Sequence, residues 1–537
     1  MRAAIRTGGD DSGDIVCFSS LAPREKSMPR KPLAAVLLLA LASMPFSARA
    51  SDDETALAVQ RNLPEYLDLL AIPDVADVPV DIQRNAAFLK GAFDKRGFET
   101  RLLANPANRP LVYAHLAAAV PGAKTVLFYI HFDGQPVVPA EWVQKNPFEP
   151  VVKRRDANGA WQPVDRAALM AKPLDPELRV FARAASDDKA PILMMLTAID
   201  LLKAAGKAPA IDLKVILDSE EEISSPSLAG VATANAALLK ADALVILDGP
   251  AHASGRPTLV FGNRGIATAT LVVYGPRAPL HSGHFGNYAP NPAMRLAALI
   301  AGMKDDDGRV RIAGWYDGVA LTDADRAVLA ATGDDEAALL KRIGIAKPES
   351  VGTTYQEALQ YPSLNVRGMA SASVGAKAAN IVPSEATAEL DFRTTPEVDG
   401  ERLLGLMRKY IEAEGYHLVD GAPGDADRAT YDKLARFTPG AVQKAERTAM
   451  DSPVGTWAFA ALRSAHASTP GSEPVRIRML GGTLPTDVLV AALHAPFVIV
   501  STVNADNNQH AHDENLRVGN LVSGTQTVYA LITNAYR

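Results

Sequence analysis

The chain has 537 residues, 48% apolar and 22% charged, with a formal net charge of −6. That apolar content can offset chain entropy and excludes wholesale disorder, while the acidic balance excludes nucleic acid as the main partner. The single cysteine, Cys17, excludes an intrachain disulfide and a thiolate metal cluster, so any metal falls to His, Asp and Glu.

Arg30 and Lys31 precede an apolar run from Leu33 to Ala42, and Ala48-Arg49-Ala50 follows as a small-x-small site. This is the pattern of an export signal, and its apolar part is too short to span a bilayer. Residues 1–50 are expected to be an upstream segment with a cleavable signal peptide. The mature protein is then expected to be periplasmic or secreted, with no stable membrane span after cleavage.

From Thr125 onward, short apolar runs alternate with helical stretches, the signature of an α/β domain. Thr125–Ile130 ends at His131. Pro191–Ala205 reads as a helix, with proline in its first turn and Gly206 just past its end. Leu213–Leu217 ends at Asp218 and the acidic run Glu220-Glu221-Glu222, and Ala243–Leu247 ends at Asp248. The texture then changes. Ile266–Tyr274 and Ala386–Phe392 alternate like half-exposed strands, and Asn291–Met303 and Glu401–Glu414 are amphipathic helices. Residues 266–432 therefore read as a smaller inserted α+β domain, whose stretch 304–370 has no assigned place. Residues 51–265 and 433–537 make the two parts of the larger domain, and Phe497–Val500 with His510 beyond it closes the series. The expected architecture is a doubly wound mixed sheet with an inserted ferredoxin-like lid.

Ligands in open α/β sheets sit beyond the carboxyl ends of strands, and ligand-type residues recur there on strand after strand. His131 and Asp133 are two apart, so in extended chain they share a side. Ser186-Asp187-Asp188-Lys189 stands just before a helix, where a carboxylate is either a cap or a bridge between two metals. Glu220-Glu221-Glu222 is either a solvated acidic turn or a pair in which one carboxylate binds metal and its neighbour takes a proton from water. With Asp248 and His510 the set holds two imidazoles, three ligating carboxylates and a base, which suits a two-zinc hydrolase.

The ordered strings resemble the dinuclear-zinc metallopeptidases that include carnosinase-like dipeptidases, aminoacylases, acetylornithine deacetylases and glutamate carboxypeptidases. His131-Phe132-Asp133-Gly134-Gln135-Pro136-Val137, with Trp142 and Asn146-Pro147-Phe148-Glu149-Pro150, resembles the first metal motif in its dipeptidase form. Arg183 with Ser186-Asp187-Asp188-Lys189 resembles the bridging-aspartate motif, and Ser219-Glu220-Glu221-Glu222-Ile223-Ser224-Ser225 the motif of base and ligand. The resemblance implies that His131 and Asp248 hold one metal and Glu222 and His510 the other, with Asp187 between them. It makes Glu221 the general base and Asp133 the residue orienting His131. Glu514, four residues after His510, favours that histidine over His512 as the ligand.

In the lid, His281-Ser282-Gly283 with Asn291-Pro292 resembles the motif whose histidine reaches the partner subunit's site to polarise the scissile carbonyl. Asn380-Ile381-Val382-Pro383 and Arg393 resemble elements that bind the substrate carboxylate, and Gly481-Gly482-Thr483 a loop lining the pocket. Ile312–Val319 and Pro362–Val366 resemble lid segments of the dipeptidase branch, which favours peptides as substrates. Where relatives carry glycine around the bridging aspartate, this chain has Ala182, Ala184 and Ala190, tolerable only where the backbone does not need positive φ.

The resemblance thus implies a homodimeric hydrolase with two divalent metals, zinc first and manganese or cobalt as alternatives, and the signal pattern adds export. Its substrates would be small peptides, cleaved in dipeptidase or carboxypeptidase fashion. An N-acyl amino acid deacylase is the alternative, and a catalytically inactive peptide-binding relative the third reading.

Overall fold

The computed structural model describes residues 51–469 and 471–537; the expected signal peptide lies outside them. Strands β1 (Glu99–Leu103), β2 (Leu111–Leu116), β3 (Thr125–His131), β4 (Asp212–Asp218), β5 (Ala243–Ile246) and β6 (Thr258–Val260) enter the main sheet before the chain departs for the lid. The lid contributes β7 (Gly265–Tyr274), β8 (Ser363–Ala370), β9 (Glu385–Thr394), β10 (His417–Leu418) and β11 (Leu434–Gln443). The chain then returns for β12 (Val475–Ile477) and β13 (Phe497–Ser501).

The main sheet has eight strands in the order β1-β2-β4-β3-β5-β13-β6-β12. Its central strands β4, β3, β5 and β13 are parallel, and β1, β2 and β6 bring antiparallel pairings, so the sheet is mixed as expected. Central parallel strands are covered on both faces, which is why they read as unbroken apolar runs. Val126, Phe128 and Ile130 of β3 join the core formed with helices α1 (Asp52–Leu70) and α2 (Lys189–Ala204), while Leu127 and Tyr129 join a second core on the other face. The parallel arrangement brings the carboxyl ends of β3, β4, β5 and β13 to one edge.

The lid sheet runs β8-β9-β7-β11-β10. With α3 (Pro292–Met303) after β7 and α4 (Gly400–Ala413) after β9, the path is βαββαβ apart from the two-residue edge strand β10, the ferredoxin-like order. Leu296, Leu299, Met303, Leu403, Met407 and Ile411 pack from these helices into the lid core. The lid ends later than the expected boundary at 432. β11 pairs antiparallel with β7 along its length, and this ladder keeps residues 434–443 in the lid. The unassigned stretch 304–370 supplies the helices Asp323–Ala330 and Glu336–Ile343 and then β8, the lid's edge strand. Trp315, 1% exposed, packs edge-on against Phe392 with ring centroids 5.4 Å apart, so that segment is part of the lid core. No helix among the described residues is long and apolar enough to cross a membrane.

Candidate metal centre and substrate cleft

His131 ends β3, and its buried ring is held from both sides. Nδ1–H donates to the Asp133 backbone carbonyl at 3.0 Å, leaving Nε2 2.9 Å from Asp187 Oδ1. The other oxygen of Asp187 stands 3.1 Å from His510 Nε2, so one carboxylate spans two imidazoles that are 379 positions apart (510 − 131). His510 Nε2 is also 3.3 Å from Glu222. It is His510, not His512, that the loop after β13 delivers here.

Two groups of potential ligand atoms result, each within 4.8 Å: His131, Asp188 and Asp248, and Asp187, Glu222 and His510. Asp188 was not among the expected ligands; its adjacency to Asp187 was the only hint in the sequence. Its Oδ2 also accepts the His131 backbone N–H at 3.4 Å.

Asp133 orients the His131 ring through its backbone carbonyl, while its carboxylate serves elsewhere. Its carboxylate is 3.5 Å from His131 Nδ1, but its 3.0 Å hydrogen bonds come from the backbone N–H groups of Glu221 and Glu222. It therefore clamps the turn that presents the acidic pair, and the ring is oriented by the Asp133 carbonyl. Within the run, Glu220 turns away to accept from Arg109 at 3.1 Å and the Ser227 N–H at 3.0 Å. Glu222 accepts from Gln135 Nε2 at 2.6 Å, and Glu221 faces the cleft. Gln135 belongs to the first motif without having been singled out as a site residue.

The electrostatics suit a cation. Burial raises the Glu221 carboxyl well above its ordinary range. Burial and the facing Asp187 push Glu222 up to about 8, and burial, working against His131, pushes Asp248 up to about 6. Asp187 stays ionised in spite of its burial because both imidazoles stand against it, and its carboxylate in turn raises His510 to about 9. So many buried carboxylates can be ionised together only with positive charge between them. Carboxylate and imidazole donors without thiolate fit zinc, manganese or cobalt, so the residues fit the implied metals.

The loop carrying Asp187 is held from below by Glu514, which accepts the backbone N–H groups of Ala184, Ser186 and Asp187 at 2.9, 2.9 and 3.0 Å. Of the three alanines in glycine positions, Ala184 has φ +59° and occupies the left-handed region; Ala182 and Ala190 do not.

A cleft of about 640 Å³ opens over these groups, with Asp187, Glu221, Glu222, Asp248 and His510 on its floor and Arg393, Gly482 and Thr483 on its walls. Arg393 donates to Thr483 Oγ1 at 2.7 Å, joining lid to catalytic domain. Arg367, from edge strand β8, also lines it and was not anticipated. His281 and Asn380 do not line this cleft. His281 lies on a two-stranded ribbon pairing Leu280–His281 with Ile381–Val382, Asn380 immediately precedes its second strand, and both residues are exposed. His281 Nδ1 accepts the Gly283 N–H at 3.0 Å, which leaves the ring proton on Nε2, facing outward as a donor.

Residues 261–418 match the peptidase dimerisation domain of the M20 peptidases. The chain is 26% identical over 427 residues to the Cys-Gly metallodipeptidase DUG1 of Saccharomyces cerevisiae, covering 77% of this chain and 79% of that one. It is 21% identical over 425 residues to the human Beta-Ala-His dipeptidase, covering 78% and 76%. Among solved structures, the M20 family metallo-carboxypeptidase Sso-CP2 of Sulfolobus solfataricus superposes with a TM-score of 0.69 at 26% identity, over 88% of this chain and 98% of that one. The yeast dipeptidase Dug1p superposes with a TM-score of 0.69 at 22% identity, over 90% and 98%, and speaks for the fold.

Proposed function

The chain belongs to the M20 metallopeptidases and is a hydrolase, and from that premise we propose that it is an exported, zinc-dependent dipeptidase or carboxypeptidase of small peptides. The observation that carries this reading is Asp187 lying between His131 and His510 at the floor of a cleft whose wall presents Arg393. His131 and Asp248 would hold one divalent ion and Glu222 and His510 the other, with Asp187 shared and Asp188 beside the first group. When bound, such a pair supplies Lewis acidity toward water and the scissile carbonyl.

The remaining work falls to the chain's own residues. Glu221 takes the proton of the attacking water and passes it to the leaving amine, a role its cleft position and raised proton affinity support. Asp133 holds the backbone of Glu221 and Glu222, so base and ligand keep their separation. Arg393, braced by Thr483, binds the free carboxylate of the peptide, and Gly482 leaves room for its backbone.

His281 and Asn380 complete the site of a partner subunit in a homodimer. Support comes from their exposure away from the cleft of their own chain and from the matched dimerisation domain. Nearby apolar side chains that a partner would cover point the same way: Tyr288 is 88% exposed and Met294 71%. There His281 Nε2–H donates to the developing oxyanion.

Peptides are preferred over acyl amino acids because the related proteins are named for Cys-Gly and Beta-Ala-His substrates. The purified chain, loaded in turn with zinc, manganese and cobalt, is to be assayed on Cys-Gly, Beta-Ala-His, other dipeptides and N-acetyl amino acids. Turnover of dipeptides above the acetylated set is expected; faster cleavage of the acetylated set would move the assignment to a deacylase.

A further inference from the structure

A second cavity, of about 480 Å³, lies in the lid segment 304–365 and shares no lining residue with the catalytic cleft. Such a volume is within the range that holds small organic ligands, about 300–1,000 Å³. Arg264, between β6 and β7, lines it and is only 6% exposed. Its Nη2 donates to the Tyr361 carbonyl at 2.8 Å, but its buried Nε has no partner, and no described carboxylate forms an ion pair with it.

A guanidinium buried this deeply ordinarily has an acid beside it, because an uncompensated charge in the interior is costly. Here its charged neighbour Arg393 repels it, and Asp391, which offsets part of that repulsion, already accepts from Asn365 Nδ2 at 2.8 Å. The acids at the cavity are engaged as well. Glu336 accepts the Tyr355 N–H at 2.7 Å, and Glu349 pairs with Lys304 at 2.8 Å. One side of the cavity is apolar. The helix Glu336–Ile343 has no buried residue, and it turns Leu339, Leu340 and Ile343 to the cavity, opposite Leu359 and Leu364. Ile343 is 52% exposed there.

We propose that this cavity binds a small organic monocarboxylate, with its carboxylate on Arg264 and its apolar body against Leu340, Ile343 and Leu359. The pairing supplies the missing anion and covers the exposed apolar wall in one step, and a charge-assisted bond to guanidinium is the strong kind.

The test is calorimetric titration of phenylacetate into the full-length metal-loaded protein, with neutral phenylacetamide as the matched control. Saturable binding of one phenylacetate per chain to this cavity is expected, with the amide failing to bind. Arg264→Met should weaken binding at least about tenfold. Ile343→Glu, on the exposed wall, should do the same by placing a like charge beside the carboxylate, and it decides the matter if the arginine variant does not fold. Arg393→Met should leave this binding in place, which separates the cavity from the cleft. Absence of saturable binding, equal binding of the amide, or binding that survives Ile343→Glu and vanishes in Arg393→Met would each overturn the proposal. Its outcome is independent of whether the cleft proves to be a peptidase site.

Discussion

The Glu514 carboxylate accepts the backbone N–H of Asp187 at 3.0 Å from 327 positions away in the chain. The same carboxylate pairs with Arg183 at 2.8 Å, both side chains being buried, and accepts from Ala184 and Ser186. The loop that presents the shared aspartate is therefore bolted to the segment that follows His510, four residues upstream of Glu514. Glu514→Gln leaves Arg183 buried without its counter-charge, a kind of loss that costs about 3–5 kcal/mol. The expected outcome is a lower unfolding midpoint together with weaker metal retention. Denaturant unfolding of the variant with unchanged stability would contradict this role.

Metal analysis of the purified protein is expected to give two divalent ions per chain, and a chelator to abolish turnover that zinc, manganese or cobalt restores. The donor groups His131, Asp188, Asp248 and Asp187, Glu222, His510 set this count. Full activity with less than one equivalent of metal would be incompatible with the site as described.

Glu221 and Glu222 are neighbours with different surroundings, so their variants should fail differently. Glu221→Gln should keep both metals and lose about 10²–10⁴-fold in kcat, the usual cost of a missing general base. Glu222→Gln should lose metal at one site, since Glu222 stands with His510 and Asp187. Metal stoichiometry measured beside kcat distinguishes the two, and the reverse pattern would exchange the roles.

His281→Ala and Glu221→Gln should each be inactive alone and regain activity when mixed under conditions that exchange subunits. One site of each mixed dimer would then combine an intact His281 with an intact Glu221, through the same isologous interface. Subunit exchange without recovered activity would place His281 in a structural role within its own chain.

Ala184 holds φ +59° with a Cβ, a conformation that costs an L-residue about 1–2 kcal/mol. Ala184→Gly relieves that cost and pays part of it back in chain entropy, so a net gain of about 0.5–1 kcal/mol is expected in denaturant unfolding. Ala190→Gly, inside α2, should instead lose about 1 kcal/mol. Equal effects at the two positions would argue against the left-handed turn.

The strand series was legible because β3, β4, β5 and β13 are buried on both faces. Continuous apolar runs are the only pattern such strands can carry, and the polar residue that ends each run marks the sheet's ligand-binding edge. The same local logic marked His131, Asp187, Glu221, Glu222, Asp248 and His510, all of which the fold brings to one place. What the sequence could not decide depends on pairing at long range. β11 belongs to the lid because of its ladder with β7, which no composition change announces at residue 432. Asp133 clamps the Glu221–Glu222 turn because β3 and β4 lie side by side. The positive φ at Ala184 was likewise invisible, because alanine conceals a turn that glycine would have advertised. The exposure of His281 and Asn380 away from the cleft is decided by the ribbon that joins them, since only tertiary structure determines which site a side chain can reach.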